Sequence, residues 1–197
     1  MTTLDFWFDF ASTYSYLTAM RIDALAAEHK ATVRWRPFLL GPIFQSQGWT
    51  TSPFNVYPVK GAYMVRDIDR IAHARAIPFQ MPKPFPQSSL LAARVALSID
   101  DAAQRAAFCR AVFELEFGEG KSIDDPFAIG GCASKVGLNA AAVLQATRTD
   151  AIKSKLREET DYARSLGIFG APSFIVPLDG ELFWGDDRLE AALKWEG

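Results

Sequence analysis

The chain is poor in residues that signal redox chemistry, metal binding or membrane insertion. Its 197 residues include 2 cysteines and 2 histidines, too few and too scattered for the ligand spacing of a metal site. Cys109 and Cys132 lie apart in helical patterns, so we interpret them as free buried thiols and not as a structural disulfide. No apolar run approaches the ~20 residues of a membrane span.

Charge of one sign is not in excess either. The net charge of −2 at pH 7 gives no electrostatic reason to expect nucleic acid or an anionic membrane as a partner. The N-terminus, residues 1–5, has no basic segment and places Asp5 where a signal peptide needs apolar residues. These features predict a cytoplasmic protein.

Strand patterns are present at both ends of the chain. Residues 4–10 alternate in strand fashion, a helical pattern follows to about His29, and residues 32–36 form a second strand pattern. This βαβ spacing predicts that the first two strands are parallel. Near the other end, residues 173–176 and 182–184 flank an Asp-Gly turn, which predicts a β-hairpin followed by a short closing helix.

Between these ends, the patterns are helical. Amphipathic or apolar stretches typical of helices cover 61–76 and 88–117, and further helical patterns begin after Asp125-Pro126, from Asn139 and from Asp150. Residues 77–87 contain several prolines and cannot be helical. We predict an α/β thioredoxin-like domain (βαβ, then ββα) made of residues 1–44 and 166–197, with an all-helical insertion at 45–165.

The turn after the first strand carries Ser12, and it lacks cysteine. In a thioredoxin fold, a redox cysteine pair would occupy residues 12–15, so this site can hold a thiol but cannot form a disulfide of its own. Ser12 has two interpretations at this point. It is a helix N-cap, or its hydroxyl donates a hydrogen bond to a thiolate held at the helix N-terminus. A serine nucleophile is disfavoured because no histidine pattern offers it a base.

A proline turn before the third strand would face Ser12. The turn before this strand is a place where the Ala171-Pro172 bond could be cis. An ordinary trans proline at the start of a strand accounts for Pro172 equally well. A strand entered in this way offers the N–H and C=O of Ala171 to an extended peptide.

Two further segments carry polar candidates. Asp186 and Asp187 open the closing helix, where they could cap it or bind a cationic α-amino group, and both roles can hold together. Asn55 and Lys60 belong to a polar loop after the second strand, where ligands of α/β proteins collect. They could bind a peptide backbone or a carboxylate, although such loops are usually only solvated.

Four ordered motifs span almost the whole chain and together resemble the 2-hydroxychromene-2-carboxylate isomerase family, relatives of the kappa-class glutathione transferases with a DsbA-like thioredoxin fold. The motifs are Phe8-Asp9-Phe10-x-Ser12-x-Tyr14-Ser15-Tyr16; Thr51-Ser52-Pro53-Phe54-Asn55 with Lys60-Gly61-x-Tyr63-Met64-x-x-Asp67; Gly167-Ile168-Phe169-Gly170-Ala171-Pro172-Ser173-Phe174; and Trp184-Gly185-x-Asp187-Arg188-Leu189.

The resemblance implies a homodimeric, glutathione-dependent enzyme. It implies that Ser12 lies beside the glutathione sulfur, that Ala171 pairs with the cysteinyl backbone, and that Asp186 and Asp187 hold the γ-glutamyl end. The chain departs from the family pattern at two positions: Thr13 stands where proline is usual, and Ser88 stands where asparagine is common.

Three functions remain compatible with these residues. The residues of the Ser52-Pro53-Phe54-Asn55 and Trp184-Gly185-x-Asp187-Arg188 motifs favour a glutathione-dependent isomerase. Its substrate would be 2-hydroxychromene-2-carboxylate, or a similar aromatic ring-fission product, in aromatic catabolism. A kappa-like glutathione transferase with a broad electrophile range would share every glutathione contact. A non-catalytic thiol-binding module is the third, because fold alone does not give function.

Overall fold

A computed structural model describes residues 3–197 of the chain. Its strands β1 (Thr3–Phe8), β2 (Thr32–Pro37), β3 (Ser173–Val176) and β4 (Glu181–Trp184) form one sheet in the order β2-β1-β3-β4. Strands β1 and β2 are parallel, β3 is antiparallel to β1, and β4 is antiparallel to β3. The predicted parallel pair and the predicted C-terminal hairpin are both confirmed.

The helices surround this sheet and form the long segment between β2 and β3. In chain order they are α1 (Thr13–Ala19), α2 (Ile22–Glu28), α3 (Leu40–Ser46), α4 (Pro53–Val56), α5 (Pro58–Ala74), α6 (Leu90–Ser98), α7 (Ala102–Phe113), α8 (Pro126–Lys135), α9 (Ala140–Ala146), α10 (Asp150–Ser165) and α11 (Leu189–Leu193). A π-helical turn, Glu114–Gly118, extends α7, and a 3₁₀ turn, Asp186–Arg188, precedes α11.

Two helices expected to be continuous are each broken once. The pattern that ran to His29 divides between α1 and α2 at Arg21, whose φ of −131° leaves the helical region. The pattern over 88–117 divides between α6 and α7, where the Asp101 side chain caps the new helix by accepting a hydrogen bond from Gln104 N (2.8 Å). The short helices α3 and α4 were not predicted, because Gly41, Pro42 and Pro53 hide a helical pattern over so few residues.

Apolar side chains cover both faces of the sheet. On one face, Phe6 and Phe8 of β1 pack against the helical segment, with the Phe8 and Phe113 rings 5.6 Å apart. On the other face, Trp7 is fully buried beneath α3 and α10. Trp7 alternates with Phe6 and Phe8 and shares its side of β1 with Asp5, and a second layer of helices covers that side.

The fold is therefore a thioredoxin-like domain with a helical insertion, as the sequence predicted. The division at residues 44/45 and 165/166 stays a prediction. The structure adds that α3 crosses the first boundary and that α10, assigned to the insertion, packs on the sheet through Ala163.

Candidate functional site

Ser12 lies at the junction of three backbone segments. It is the N-cap of α1, with extended dihedral angles, and its Oγ accepts a hydrogen bond from Ser15 N (3.2 Å). The same hydroxyl donates to the carbonyl of Ala171 (3.0 Å), far along the chain. Ser12 is thus an N-cap and also faces the proline turn, so the two sequence interpretations describe one geometry.

The proline turn has the form expected of a peptide-binding edge. The Ala171-Pro172 bond is cis, and Pro172 is buried while Ala171 is partly exposed. Within residues 3–197, the N–H of Ala171 meets no acceptor. The carbonyl of Ala171 is engaged by Ser12, but a carbonyl oxygen has a second lone pair for a further donor.

Helix α5 forms the wall opposite this turn. Thr13 Oγ1 lies 3.3 Å from the sulfur of Met64, and the Tyr14 hydroxyl donates to Asp67 Oδ2 (2.9 Å). Burial and the neighbouring Asp67 carboxylate raise the pKa of Tyr14 above its usual range, so it stays a donor. Lys60 lies one turn before Met64, and residues four apart share a helix face. Lys60 is therefore on the side of α5 that faces the start of α1.

Asn55 and Lys60 were predicted to belong to a polar loop, and this was wrong: Asn55 lies in α4 and Lys60 in the first turn of α5, because Ser52-Pro53 and Pro58 start helices there. Both residues are exposed. Lys60 Nζ lies 5.0 Å from the centre of the Tyr57 ring, and Asn55 Nδ2 donates to Oγ1 of Thr51, which precedes the cap of α4 (3.1 Å). Lys60 is thus available to a ligand, whereas the amide of Asn55 is held by Thr51.

Asp186 and Asp187 have different environments. Asp186 is 4% exposed, and its carboxylate accepts hydrogen bonds from Thr18 Oγ1 (3.0 Å), Arg21 Nε (3.2 Å) and Arg75 (2.7 Å). The Asp187 side chain is 73% exposed, and its one ion pair is with the adjacent Arg188 (2.9 Å). The structure therefore makes Asp186 a link between α1, α2 and α5, and leaves Asp187 as the carboxylate open to a ligand.

Two buried acids beside the site were not singled out as candidates from the sequence. Asp9 follows β1; its Oδ1 accepts from Ala11 N (3.0 Å) and its Oδ2 from Leu40 N (2.7 Å), and its backbone carbonyl accepts from Ser12 N (3.0 Å). Glu116 lies in the π-helical turn and is fully buried. The sequence did contain a signal for Glu116, because it stands directly between the large apolar residues Leu115 and Phe117.

The remaining reactive residue types lie apart from the site. Cys109 and Cys132 are buried free thiols, as predicted, and burial raises the pKa of Cys132 to about 11. His73 lies in the last turn of α5 and His29 caps α2, the helix-end positions expected of them. No helix within residues 3–197 combines the length and apolar character needed to cross a bilayer.

Comparison with known proteins places the chain in a family. The DsbA-like thioredoxin domain matches over residues 3–194. The chain therefore belongs to the DsbA-like thioredoxin family, and within it to the group that the four motifs resembled, the 2-hydroxychromene-2-carboxylate isomerases and kappa-class glutathione transferases.

Individual relatives align over nearly their full length. The chain is 33% identical to a 2-hydroxychromene-2-carboxylate isomerase of Sphingobium xenophagum, covering 95% of this chain and 94% of the relative. It is 27% identical to glutathione S-transferase kappa 1 of Homo sapiens, covering 99% and 93%. A solved structure of 2-hydroxychromene-2-carboxylate isomerase superposes with a TM-score of 0.84 at 28% identity, covering 95% and 90%.

Proposed function

We propose that this protein is a glutathione-dependent isomerase of 2-hydroxychromene-2-carboxylate or of a similar aromatic ring-fission product. One observation carries the proposal: the Ser12 hydroxyl lies between the start of α1 and the cis-Pro turn, 3.0 Å from the Ala171 carbonyl, in a turn without cysteine. A site of this form can stabilise a thiol that a bound molecule supplies. The isomerase of Sphingobium xenophagum supports the choice of reaction.

Glutathione fits the groups around Ser12. Its cysteinyl backbone would pair with the Ala171 N–H and C=O, as an added strand does. The N–H groups of Thr13 and Tyr14, which have no partner within residues 3–197, and the Ser12 hydroxyl would surround the thiolate. Asp187 would hold the γ-glutamyl ammonium, and Lys60 would hold the glycyl carboxylate.

The reaction follows from placing a stabilised thiolate next to a conjugated carbonyl compound. The hemiketal ring opens first: the bond between C2 and the ring oxygen breaks, the C2 hydroxyl loses its proton to become the ketone, and the ring oxygen takes up a proton as the phenol. The sulfur then adds to the alkene carbon β to that ketone, so a C–S bond forms and the electron pair of the C=C bond moves to the ketone as an enolate. Rotation then occurs about the bond that has become single. The enolate re-forms the double bond and expels the thiolate, so no oxidant is consumed and glutathione is regenerated. Ser12 acts before the addition and after the elimination, because a free thiol is mostly protonated at neutral pH.

The first experiment mixes the protein, glutathione and the chromene carboxylate, and records the ultraviolet spectrum. We expect a shift towards the trans-hydroxybenzylidenepyruvate only when all three components are present. Titration of free thiol after turnover should return all of the added glutathione. No spectral shift at high protein concentration would contradict the proposal and favour the non-catalytic thiol-binding module.

A second candidate function is a kappa-like glutathione transferase, which the relationship to the human kappa enzyme supports. A transferase consumes one glutathione for each product molecule, because the sulfur stays on the electrophile. If free thiol is lost in proportion to the product formed, the protein is therefore a transferase and not an isomerase. The cytoplasmic location and the homodimer stay predictions, and sedimentation of the purified protein tests the latter.

Replacing Lys60 with glutamine should weaken glutathione binding about two- to fivefold, because an exposed ion pair contributes about 0.2–1 kcal/mol. Calorimetric titration measures the effect. The matched control is Lys153→Gln in the first turn of α10, a partly exposed lysine that pairs with Asp150 (3.0 Å), which should leave affinity unchanged. Glutathione amidated at its glycyl carboxylate should bind wild type and Lys60→Gln alike; a remaining difference would contradict the assignment of Lys60.

A further inference from the structure

Glu116 is a fully buried acid that the proposed reaction does not use. It is 0% exposed, and neither of its carboxyl oxygens has a hydrogen-bond partner within residues 3–197. It lies in a π-helical turn, a rare conformation that is frequent at functional sites. An unpartnered buried carboxylate is costly, so a simple packing role would favour an apolar residue at this position.

The turn that carries Glu116 packs against the loop that carries Ser12. Phe113 and Phe10 bring the two segments together, with ring centres 5.1 Å apart, and Phe117 packs on Tyr16 of α1 (5.6 Å). Asp9 directly precedes Phe10, and Phe113 stands three residues before Glu116, so the contact between these two rings joins the segments that carry the two acids. The other ionisable groups here are Tyr16, whose hydroxyl donates to the Pro78 carbonyl, and Glu114, which points outwards to Lys135 (3.0 Å).

Asp9 and Glu116 differ in what surrounds their carboxyl groups. The Asp9 carboxylate accepts from the N–H groups of Ala11 and Leu40, and these hydrogen bonds favour its ionised form. Glu116 has no such donor. Burial, followed by repulsion from Asp9, raises the pKa of Glu116 well above its usual range. Burial also raises the pKa of Asp9, but the Leu40 and Ala11 N–H groups and Ser89 oppose that rise.

We propose that Glu116 is a positioning residue that stays protonated at neutral pH and, by staying neutral, keeps Asp9 as the anion that fixes the Ser12 turn. The Asp9 carboxylate holds Ala11 N and Leu40 N, and its backbone carbonyl holds Ser12 N, so Asp9 fixes the backbone of the turn from which Ser12 begins α1. A second negative charge beside Asp9, among Phe10, Phe113 and Phe117, would push this loop apart. The consequence for thiolate binding rests on the proposed function; the protonation and the loop geometry do not.

The expected pH dependence has a definite sign. The folded state keeps the proton on Glu116, whereas the unfolded chain releases it near the usual pKa of glutamic acid. The stabilisation is therefore complete below that value and is lost as pH rises towards the folded-state value. Any opening of the Asp9 loop that hydrates Glu116 should become easier over the same range. Glutamine has nearly the same shape and cannot ionise, so Glu116→Gln should abolish both effects.

Infrared difference spectra of the glutathione-free protein test the protonation directly. At pH 7 we expect a carboxylic-acid C=O band that Glu116→Gln removes and Asp9→Asn retains. The matched control is Glu114→Gln, which changes the exposed acid of the same turn and should leave the band in place. Absence of the band in wild type, or a band that Asp9→Asn removes and Glu116→Gln keeps, would overturn the proposal.

Hydrogen exchange tests the positioning role and needs no ligand. The protection of the Ala11 and Leu40 amides, corrected for the intrinsic exchange rate at each pH, should fall in wild type between pH 5 and pH 8. Relative to Glu116→Gln, the fall should reach about tenfold for each pH unit between the unfolded and folded pKa values. Equal pH dependence in the two proteins would overturn the positioning role. If no isomerase activity is found, the proposed function fails while both of these results still decide the role of Glu116.

Discussion

Replacing Ser12 with alanine should raise the pKa of bound glutathione by about one to two units and lower turnover at neutral pH by about tenfold or more. A hydrogen bond to a charged group contributes about 1.5–3 kcal/mol, and one pKa unit corresponds to about 1.4 kcal/mol. Glutathione affinity should change less, because Ala171, Asp187 and Lys60 hold the peptide elsewhere. The thiolate absorbance of the complex, followed against pH, measures the shift.

Ser15 supplies the matched control for this prediction. Its hydroxyl is buried and meets no hydrogen-bond partner among residues 3–197, and its backbone N–H donates to Ser12 Oγ. Ser15→Ala should therefore leave the thiol pKa unchanged. Ser12→Ala also removes the N-cap of α1, at a cost of about 0.5–2 kcal/mol, so unfolding is measured beside turnover. If Ser12→Ala turned over normally with an unshifted thiol pKa, Ser12 would be an N-cap only.

Replacing Asp186 with alanine should lower the free energy of unfolding by about 2–3 kcal/mol. Removing one partner of a buried ion pair typically costs about 3–5 kcal/mol, and the lower figure allows for the partial exposure of Arg21 and Arg75. Thr18, Arg21 and Arg75 each lose a hydrogen bond to the carboxylate, and Arg21 keeps those to Glu190 and to the backbone carbonyl of residue 186. Denaturant unfolding at neutral pH measures the loss.

Asp187→Ala should weaken glutathione binding and leave the free energy of unfolding almost unchanged, the reverse of what we expect for Asp186→Ala. The Asp187 carboxylate is exposed, so the free energy of unfolding should stay within about 0.5 kcal/mol of wild type. Loss of the ligand ammonium contact should weaken glutathione binding about tenfold, the equivalent of about 1.4 kcal/mol. Normal glutathione affinity in Asp187→Ala would contradict its assignment to the γ-glutamyl end. Normal stability in Asp186→Ala would contradict the link between α1, α2 and α5.

The sequence predicts the sheet well because its signals are local. Alternation over β1 and β2, the Asp179-Gly180 turn and the Pro172 strand start each depend on a few adjacent residues. The break between α1 and α2 could not be predicted in this way. It coincides with the contact of Arg21 with Asp186, a residue far along the chain, and no local pattern contains that contact.

In the candidate site, too, features with a local sequence signal could be predicted, and features that depend on distant contacts could not. That Ser12 faces the Ala171-Pro172 turn could be predicted because each motif is short and its geometry is fixed by the fold, and the Ser12 hydroxyl lies 3.0 Å from the Ala171 carbonyl. The binding roles of these residues stay predictions. The separate environments of Asp186 and Asp187 were not predicted, because adjacent acids look alike in sequence. They are distinguished by the bonds of Asp186 to Thr18, Arg21 and Arg75, which are all far from it along the chain. Glu116 was missed for a further reason: the π-helical turn breaks the helical periodicity from which burial would be inferred.

A crystal structure of the protein with bound glutathione tests the central claim most directly. The account predicts the sulfur within hydrogen-bond distance of Ser12 Oγ, the cysteinyl backbone paired with Ala171, and the γ-glutamyl ammonium at Asp187. The Asp186 carboxylate should remain bound to Arg21 and Arg75. A sulfur that lies away from Ser12, with the Ser12 hydroxyl still bonded to the Ala171 carbonyl, would contradict the account.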